Sequence, residues 1–383
     1  MRILDSTFKF LTFCGCWRPD SWSSPCKRII YHMHTFVVVM LINTFTLSQL
    51  LDIILTVDNA DDFTDNFYVL LAMVVSCCKL CSMLVNQKNI ATLTNILTER
   101  PCKPLEQKEM DIYLKYDKSA QTNTIHYAIL VESTCVCITL TSLLTDFRRK
   151  TLTFRAWLPY DYSPPMLFYI TYVHQLISLI IASILNVACD GLICGFLLHI
   201  CCQIKILESR LKRIAHKPDI LNVCIQQHNR IFDFAVTIND KFRFTIASQF
   251  IMSTLVVCFT LYQLTRSTST NAKYIQLALY MCSMLTQIFF FCWYGNEVKL
   301  KSRELVNYIF EMDWCTLDVN VKKALLLIMR RSTMPIEFTS AYIISMNLDS
   351  FVGVSIKCFF FFYTGLNENL IYIQYFSNSF QVN

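Results

Sequence analysis

The stretch MLFYITYVHQLISLIIASILNVACDGLICGFLLHI, residues 166–200, decides the fold of this chain. Asp190 is its single charged residue, and the other positions are mainly aliphatic or aromatic. A helix needs roughly 20 consecutive apolar residues to cross a bilayer, so this stretch is long enough to span a membrane. The pattern continues to about residue 213 as an amphipathic, basic segment, which predicts a helix that projects beyond the bilayer.

The composition favours a membrane protein over a soluble one. Of the 383 residues, 54% are hydrophobic and only 16% are charged. Soluble domains carry about 25% charged residues, and a soluble fold of this length could not cover so much apolar surface. The net charge of +6 comes from Lys and Arg residues that lie between the apolar runs, so it indicates membrane topology and no nucleic-acid partner.

Seven apolar segments are candidate spans, and together they predict an all-α membrane protein with seven transmembrane helices. The fifth follows VCIQQHNRIFDFAVTINDKFRF, whose apolar residues recur at helical spacing. We expect this lead-in to pair with the extension of the fourth span as a helical hairpin outside the bilayer, over about residues 201–242. The seven segments are about 29–57, 66–85, 124–145, 166–200, 243–264, 274–296 and 346–366.

The basic residues crowd the segments on one side of the membrane. With the N-terminus in the cytosol, 26 of the 34 Lys and Arg residues fall in cytosolic segments and 6 in extracellular ones. The positive-inside rule therefore predicts a cytosolic N-terminus and an extracellular C-terminus. G-protein-coupled receptors have the opposite orientation, and their Asp-Arg-Tyr and Asn-Pro-x-x-Tyr motifs are absent, although a seven-helix receptor of that class stays an alternative.

This topology divides the chain into five parts. Residues 1–28 form a cytosolic N-terminal segment, and 29–296 hold the first six spans. Residues 297–345 are too polar to span and form a cytosolic segment, while 346–366 form the last helix. Residues 367–383 are an extracellular tail.

Within the cytosolic segment, DVNVKKALLLIMRRSTMPIEF, residues 318–338, predicts an amphipathic helix. Asp318 is the expected N-cap, and the helix should end before Pro335. Two interpretations stay open: the helix lies on anionic lipid, or it packs inside the cell and holds subunits together. The apolar face is expected to hold Val321, Leu325, Leu326 and Met329.

The 19 cysteines indicate packing rather than disulfides or a metal site. Most lie inside apolar segments, where a thiol behaves as a small hydrophobic side chain. Cys78 and Cys81 have CxxC spacing, but no second pair or nearby His completes a metal site. His32 and His34 form the one close His pair, without a matching carboxylate or Cys set. We therefore expect no enzyme, no catalytic residue, no metal and no cofactor.

The region from residue 288 to residue 357 contains a series of separated motifs. They comprise Cys292, Tyr294, Gly295, Asn296, Glu297, Ser302, Glu304, Trp314, Lys323, Pro335, Ile336 and the run Leu348, Asp349, Ser350, Phe351. Together these residues resemble the C-terminal signature of insect odorant receptors. The N-terminal CGCWRP, the LPYDYSPP before the fourth span and Asp190 within it fit the same family. Several separated motifs occur in the family's order, so the resemblance covers the whole chain.

The resemblance implies a subunit of a tetrameric, odorant-gated, non-selective cation channel that assembles with an odorant coreceptor. The last helix is then split into a cytosolic piece and a spanning piece that lines the pore. An intracellular anchor, to which residues 297–345 contribute, makes most subunit contacts. The implied location is the plasma membrane of a sensory neuron dendrite. A gustatory-receptor-like channel is the related alternative, but that family's Thr-Tyr-x-x-x-x-x-Gln-Phe motif is absent.

Lys357 places a charge inside the last predicted span. From an entry at about residue 347, ten residues at 1.5 Å each carry it ~15 Å into the bilayer, near the midplane. A charge there costs roughly 2.5–3.5 kcal/mol, so we expect a wet cavity or a seam between subunits nearby. Glu132 and Asp190 are the candidate carboxylate partners, and the sequence does not choose between them.

The outer end of the last helix is the expected pore mouth. Acidic and polar rings favour cations, and Thr364, Asn367 and Glu368 stand there, beyond Lys357. The helix departs from the family pattern Lys-x-Ser-Tyr-Ser-Tyr-Phe, because it reads Lys357-Cys-Phe-Phe-Phe-Phe-Tyr363, and a tail follows it.

The family's ligand pocket lies between spans two, three, four and six, in their outer halves. Aromatic and thioether side chains there suit a hydrophobic volatile ligand held by dispersion. We expect the ligand to be neutral or weakly polar, because no charged group converges on that region. The candidate ligand-binding residues are Phe67, Tyr68, Leu71, Ile138, Thr141, Tyr169, Tyr172, Leu176, Tyr280 and Met284.

Overall fold

The computed structural model describes residues 3–19, 21–56, 60–214, 217–266, 271–340, 344–358 and 360. Helices account for most of them, with one short hairpin of strands β1 (Thr339–Ser340) and β2 (Ile344–Ser345). The helices are α1 (Asp5–Phe13), α2 (Pro25–Leu55), α3 (Ala60–Val85), α4 (Gln87–Thr98), α5 (Gln107–Leu144), α6 (Asp146–Arg149), α7 (Pro165–Leu211), α8 (Leu221–Arg266), α9 (Asn271–Phe310), α10 (Val319–Ser332) and α11 (348–358).

Six of the described helices are long and apolar enough to cross a membrane: α2, α3, α5, α7, α8 and α9. They contain the first six predicted spans, and the prediction of an all-α membrane fold is confirmed. Of the seventh predicted span, 346–366, the structure describes α11 and residue 360. The outer part of that span, with Thr364, Asn367 and Glu368, lies outside the described residues, as does the tail over 367–383.

Helices α7 and α8 are far longer than a bilayer is thick. They contain 47 and 46 residues, which correspond to about 70 Å at 1.5 Å per residue, against a hydrocarbon core of about 30 Å. The extensions predicted over about 201–242 are therefore continuous with their spans, and the two helices contact each other. The short 3-10 turn Pro218–Ile220 lies between them, within the helical hairpin predicted over about 201–242.

Helix α7 is the centre of the molecule, in contact with α1, α2, α3, α5, α8 and α9. Nearly every residue from 185 to 211 is buried, which explains why the membrane span of this helix, up to residue 200, is mainly apolar on all sides. Two glycines allow the close contacts: a Cβ at Gly191 would lie 2.8 Å from Thr124 Cγ2 of α5, and one at Gly195 would lie 2.7 Å from Leu4 Cδ2. The absence of side chains lets α5 and the start of α1 approach α7.

A buried ion pair joins the extensions of α5, α7 and α8. The guanidinium of Arg210 donates to Glu109 Oε2 at 2.7 Å, to the carbonyl oxygen of Pro101 at 2.6 Å and to Gln227 Oε1 at 2.9 Å. Both charged side chains have 0% exposure. A buried charge is tolerated only when its hydrogen bonds are satisfied, so this cluster fixes where the three helices meet.

Helix α10 forms where the sequence predicts it, although its buried face differs from the expected one. The carboxylate of Asp318 accepts from the backbone N–H of Asn320 at 3.1 Å, which confirms the cap. Leu326 is 55% exposed, so the predicted face was wrong at this position, whereas the half-buried Met329 packs against the core as expected. The stripe that packs against α8 and α9 has spacings of four, three and four, and it consists of Val321, Leu325, Ile328 and Ser332.

Candidate ligand cavity

A cavity lies at the middle of the predicted spans, lined by α3, α5, α7, α8 and α9. The unfilled space between side chains there is about 700 Å³, part of which opens to the outside. Each helix contributes between one and about three turns to the wall. The lining residues fall within 72–76 of α3, 127–138 of α5, 179–186 of α7, 249–256 of α8 and 280–287 of α9.

A smaller cavity of about 400 Å³ adjoins the main one on the side of the predicted extracellular loop. The smaller one reaches Phe154 in the loop before α7. The residues that line both cavities are Ala72, Met73, Ile138, Leu179 and Tyr280. The ring of Tyr68 meets the ring of Tyr280 edge-on at 5.6 Å between centroids. Together the cavities form an apolar space that extends from the mid-span towards the outer end of the helices.

Four of the ten predicted ligand-binding residues line these cavities. Ile138, Tyr280 and Met284 line the main cavity, while Tyr68 lines the smaller one. They come from three helices that are far apart in the sequence, so the structure brings together residues that the sequence only nominated.

The two other candidates on α3 lie off the lining face. The ring of Phe67 stacks on Phe63 at 4.7 Å and meets Phe259 of α8 at 4.9 Å. Leu71 is buried but lines neither cavity. Successive helical residues are turned by about 100°, so a face that contains Tyr68 and Ala72 leaves Phe67 and Leu71 beside it.

The remaining four candidates lie closer to the outer end than the main cavity. On α7 the lining stripe runs through Leu179, Ser183 and Asn186, and Tyr172 and Leu176 continue it outwards. The hydroxyl of Tyr172 is 2.8 Å from Ser142 Oγ. Tyr169 is 49% exposed, and its ring contacts that of Phe147. Thr141 is half-buried and lies one turn beyond Ile138. As ligand contacts, all ten stay predictions.

Helix α8 also lines the cavity, and the sequence interpretation missed it. Gln249 and Ser253 of α8 lie beside Ser283 and Gln287 of α9 in the cavity wall. These four residues are called the cavity floor below. A usable signal was present, because each pair is spaced by four residues and interrupts an otherwise apolar span.

A chain of hydrogen bonds connects this floor to a buried ion pair. Gln249 Nε2 donates to Gln287 Oε1 at 2.6 Å, and Gln287 Nε2 donates to Asp190 Oδ2. The other oxygen of Asp190 accepts from Lys79 Nζ at 2.6 Å. The side chains of Lys79 and Asp190 are 0% and 3% exposed, so the pair is deeply buried between α3 and α7.

Neither of the two carboxylates predicted as a partner of Lys357 pairs with it in the structure. Asp190 is paired with Lys79, and Glu132 Oε1 accepts from Ser183 Oγ at 2.7 Å. Lys357 lies exposed on α11 in the single chain. The two carboxylates nominated for Lys357 are therefore engaged by other side chains, because both face the cavity helices rather than α11.

No charged residue lines the main cavity among the residues that the structure describes. The nearest carboxylates are hydrogen-bonded to lining residues instead: Glu132 accepts from Ser183, and Asp190 accepts from Gln287. Over the same residues, no group of three His, Cys, Asp or Glu side chains is arranged to hold a metal ion. The wall itself can offer dispersion and neutral hydrogen-bonding groups.

The chain is similar to known odorant receptors over most of its length. A family model described as 7tm Odorant receptor matches residues 59–356. Odorant receptor Or1 of Anopheles gambiae is 22% identical over 381 residues, which cover 90% of each chain. Odorant receptor 10 of Aedes albopictus is 31% identical over 127 residues, or 33% of this chain and 34% of that one.

Solved structures show the same fold. The insect olfactory receptor OR5 from Machilis hrabei, in complex with eugenol, superposes with a TM-score of 0.85 at 17% identity, over 95% of this chain and 97% of that one. A second structure of that receptor gives a TM-score of 0.84. The family is one of receptors, which agrees with the expectation that the chain is no enzyme. The family match extends over far more than half of this chain, so it is a multi-pass membrane protein that belongs to the insect odorant receptor family.

Proposed function

We propose that this odorant receptor is a subunit of an odorant-gated, non-selective cation channel, which assembles with a coreceptor into a heterotetramer. Its place is the plasma membrane of a sensory neuron dendrite. The observation that carries the proposal is that two helices of the cavity wall, α8 and α9, are also the helices that pack against α11. A ligand that changes the positions of these helices therefore acts on the last helix.

The contacts from the cavity to α11 are short on both helices. On α8, Ser253 lines the cavity, and Cys258 lies five residues further on, with its Sγ 3.6 Å from Cys358 Sγ of α11. On α9, Gln287 lines the cavity, and the ring of Phe289 meets that of Phe351 edge-on at 5.4 Å between centroids. A ligand opens such a channel only if it binds the open form more tightly than the closed form.

Exposed groups on α11 and α10 support assembly into a larger complex. Lys357 and Ile356 are exposed on α11, Ile356 by 62%, and a charge in direct contact with lipid at mid-span is costly. A water-filled pore or a subunit seam beside α11 removes that cost. At the other end, Leu326 and Leu327 of α10 are 55% and 67% exposed in the predicted cytosolic region, where a neighbouring subunit would cover them.

The cavity supports a small organic ligand. Its walls are mainly apolar and carry no charged residue among those that the structure describes, as in most small-molecule sites. The structurally similar receptor from Machilis hrabei was solved in complex with eugenol, a small organic molecule. We infer that this chain binds volatile molecules of comparable size in the same space.

Electrical recording tests this function directly. The full chain is expressed in oocytes with and without an odorant coreceptor, and currents are recorded across a panel of volatiles. We expect ligand-evoked current only in co-expressing cells, and we expect replacement of Na⁺ by K⁺ to leave the current nearly unchanged. A response that needs a G protein and carries no direct current would overturn the channel proposal.

A further inference from the structure

Three residues that line the main cavity each carry a polar atom that is buried without a hydrogen-bond partner among the described residues. The atoms are the hydroxyl of Tyr280, Oδ1 of Asn186 and Oε1 of Gln249. Most buried polar side-chain atoms in proteins have a partner, so three exceptions around one cavity need an explanation. Two of the three are carboxamide oxygens, which can only accept a hydrogen bond.

The orientation of the Asn186 carboxamide follows from its neighbour. The hydroxyl of Ser76 donates its proton to the carbonyl oxygen of Ala72 at 3.0 Å, so its oxygen can only accept from Asn186. The Asn186 atom that lies 2.8 Å from Ser76 Oγ is therefore the NH₂ group. This leaves Oδ1 of Asn186 as the spare atom, an acceptor.

The orientation of the Gln249 carboxamide follows from the ion pair. Asp190, ionised beside Lys79, has only acceptor oxygens, so Gln287 must present its NH₂ group to Asp190. Gln287 then presents its oxygen to Gln249, and Gln249 must answer with its own NH₂ group, at 2.6 Å. Oε1 of Gln249 is thereby left without a donor. The charge on Asp190 thus sets the orientation of the Gln287 amide and, through it, that of the Gln249 amide, so that Gln249 Oε1 is left as a free acceptor.

We propose that the ligand of this cavity is a neutral volatile with a hydroxyl group, an alcohol or a phenol, whose O–H donates to the carboxamide oxygen of Gln249 or Asn186. The proposal rests on the odorant-binding function proposed above and narrows its ligand class. The hydroxyl of Tyr280 can donate to the ligand oxygen in return. The hydrocarbon part of the ligand fills the apolar remainder of the cavity, beside Ile138 and Val256.

Ketones and ethers of the same shape lack the required donor. They can accept from Tyr280, but they leave both carboxamide oxygens unpaired in an enclosed site. A site built to hydrogen-bond a substrate hydroxyl rejects analogues that lack it far more strongly than an apolar pocket rejects a small change in shape. We therefore expect the alcohol to bind at least about 10-fold more tightly than its matched ketone or ether.

The test measures binding to the purified full-length chain in detergent, so it does not depend on channel current. The probes are 1-octanol, 2-octanone and 1-methoxyheptane, which have equal numbers of non-hydrogen atoms, together with 2-phenylethanol and phenylacetaldehyde. Dissociation constants come from displacement of a fluorescent apolar dye, and the same compounds are applied in the electrical recordings. We expect 1-octanol and 2-phenylethanol to bind more tightly than their partners.

Three variants probe the atoms of the proposal, and one serves as a matched control. Gln249→Met and Asn186→Leu each remove one acceptor at nearly constant volume. The ratio between ketone and alcohol dissociation constants should fall towards one in the variant that removes the oxygen used by the ligand hydroxyl, and in the double variant. Gln287→Met removes one of the two acceptors of the Gln249 NH₂ group, the other being Ser253 Oγ, so it should lower the same ratio less than the double variant does. Met252→Leu also alters the cavity wall but no polar atom, and should change both dissociation constants in parallel.

Each outcome decides the matter. Tighter binding of alcohols that Gln249→Met or Asn186→Leu abolishes supports the proposal, even if no current is recorded, in which case only the channel function fails. Equal binding of alcohols, ketones and ethers overturns the hydroxyl preference, even if all of them evoke current. An unchanged ratio in both acceptor variants and in the double variant overturns the assignment of these atoms. Failure of every compound to bind overturns both proposals.

Discussion

At the scale of single residues, the ion pair of Lys79 and Asp190 affects the whole site, because Asp190 orients the amides of Gln287 and Gln249 at the cavity. Each partner is buried in the bilayer region, and each is compensated by the other. We predict that Lys79→Met alone, or Asp190→Asn alone, lowers the free energy of unfolding by about 3–5 kcal/mol, because each leaves an uncompensated buried group. Thermal unfolding in detergent measures this loss, and the double variant should recover most of it.

An exposed pair in the same chain provides the control for that prediction. Lys9 and Asp5 are also 2.6 Å apart, but the Lys9 side chain is 74% exposed. Lys9→Met should cost less than about 1 kcal/mol, since exposed ion pairs contribute little. Equal losses in Lys79→Met and Lys9→Met would show that burial of the inner pair has been misjudged.

Gly295 is required at one close contact on α9. A Cβ at this position would lie 2.5 Å from the carbonyl oxygen of Met346, just before α11, and backbone cannot move aside as a side chain can. We predict that Gly295→Ala destabilises the chain by about 1–3 kcal/mol, as overpacking does, and displaces the entry to α11. Gly353→Ala is the matched control, because nothing described lies within 4 Å of its Cβ. Equal melting temperatures of the two variants would contradict this account.

At the scale of elements, the contact between α8 and α11 can be locked. Cys258 and Cys358 have their sulfur atoms 3.6 Å apart, so a small movement brings them to the ~2.05 Å of a disulfide. Copper phenanthroline with oxygen takes two electrons and two protons from the thiols. We predict that this bond suppresses the odorant-evoked current by fixing α11 to α8, and that dithiothreitol restores the current.

The control for this cross-link is built from other cysteines. Cys358→Ser should make the current insensitive to the oxidant, and Cys282→Ser, at an exposed site on α9, should leave the sensitivity as it is. Mass spectrometry of the digested protein identifies the linked peptides. A linked protein with full current would show that gating needs no relative motion of these two helices.

At the scale of the whole molecule, the distribution of charge sets the orientation. With 26 of 34 Lys and Arg residues in the segments that share a side with the N-terminus, we predict that this side faces the cytosol. An epitope at the N-terminus should stain only after permeabilisation of the cells, and one in the loop over residues 146–165 should stain intact cells. Staining of the N-terminal epitope on intact cells would reverse the topology and refute the channel proposal.

The sequence by itself determined features that depend on one segment of the chain at a time. These are the six described spans, the long extensions of α7 and α8, the Asp318 cap of α10 and the family motifs. Span length and side-chain periodicity are properties of one helix at a time, so they can be read without knowledge of neighbours. The tertiary structure alone decided which faces meet. It placed the cavity at mid-span and turned Phe67 away from it. It also buried Ile328 in place of Leu326, and it paired Asp190 with Lys79 rather than with Lys357. The reason is geometric: successive residues of a helix point about 100° apart, and the rotation of each helix about its own axis is fixed only by its packing against other helices.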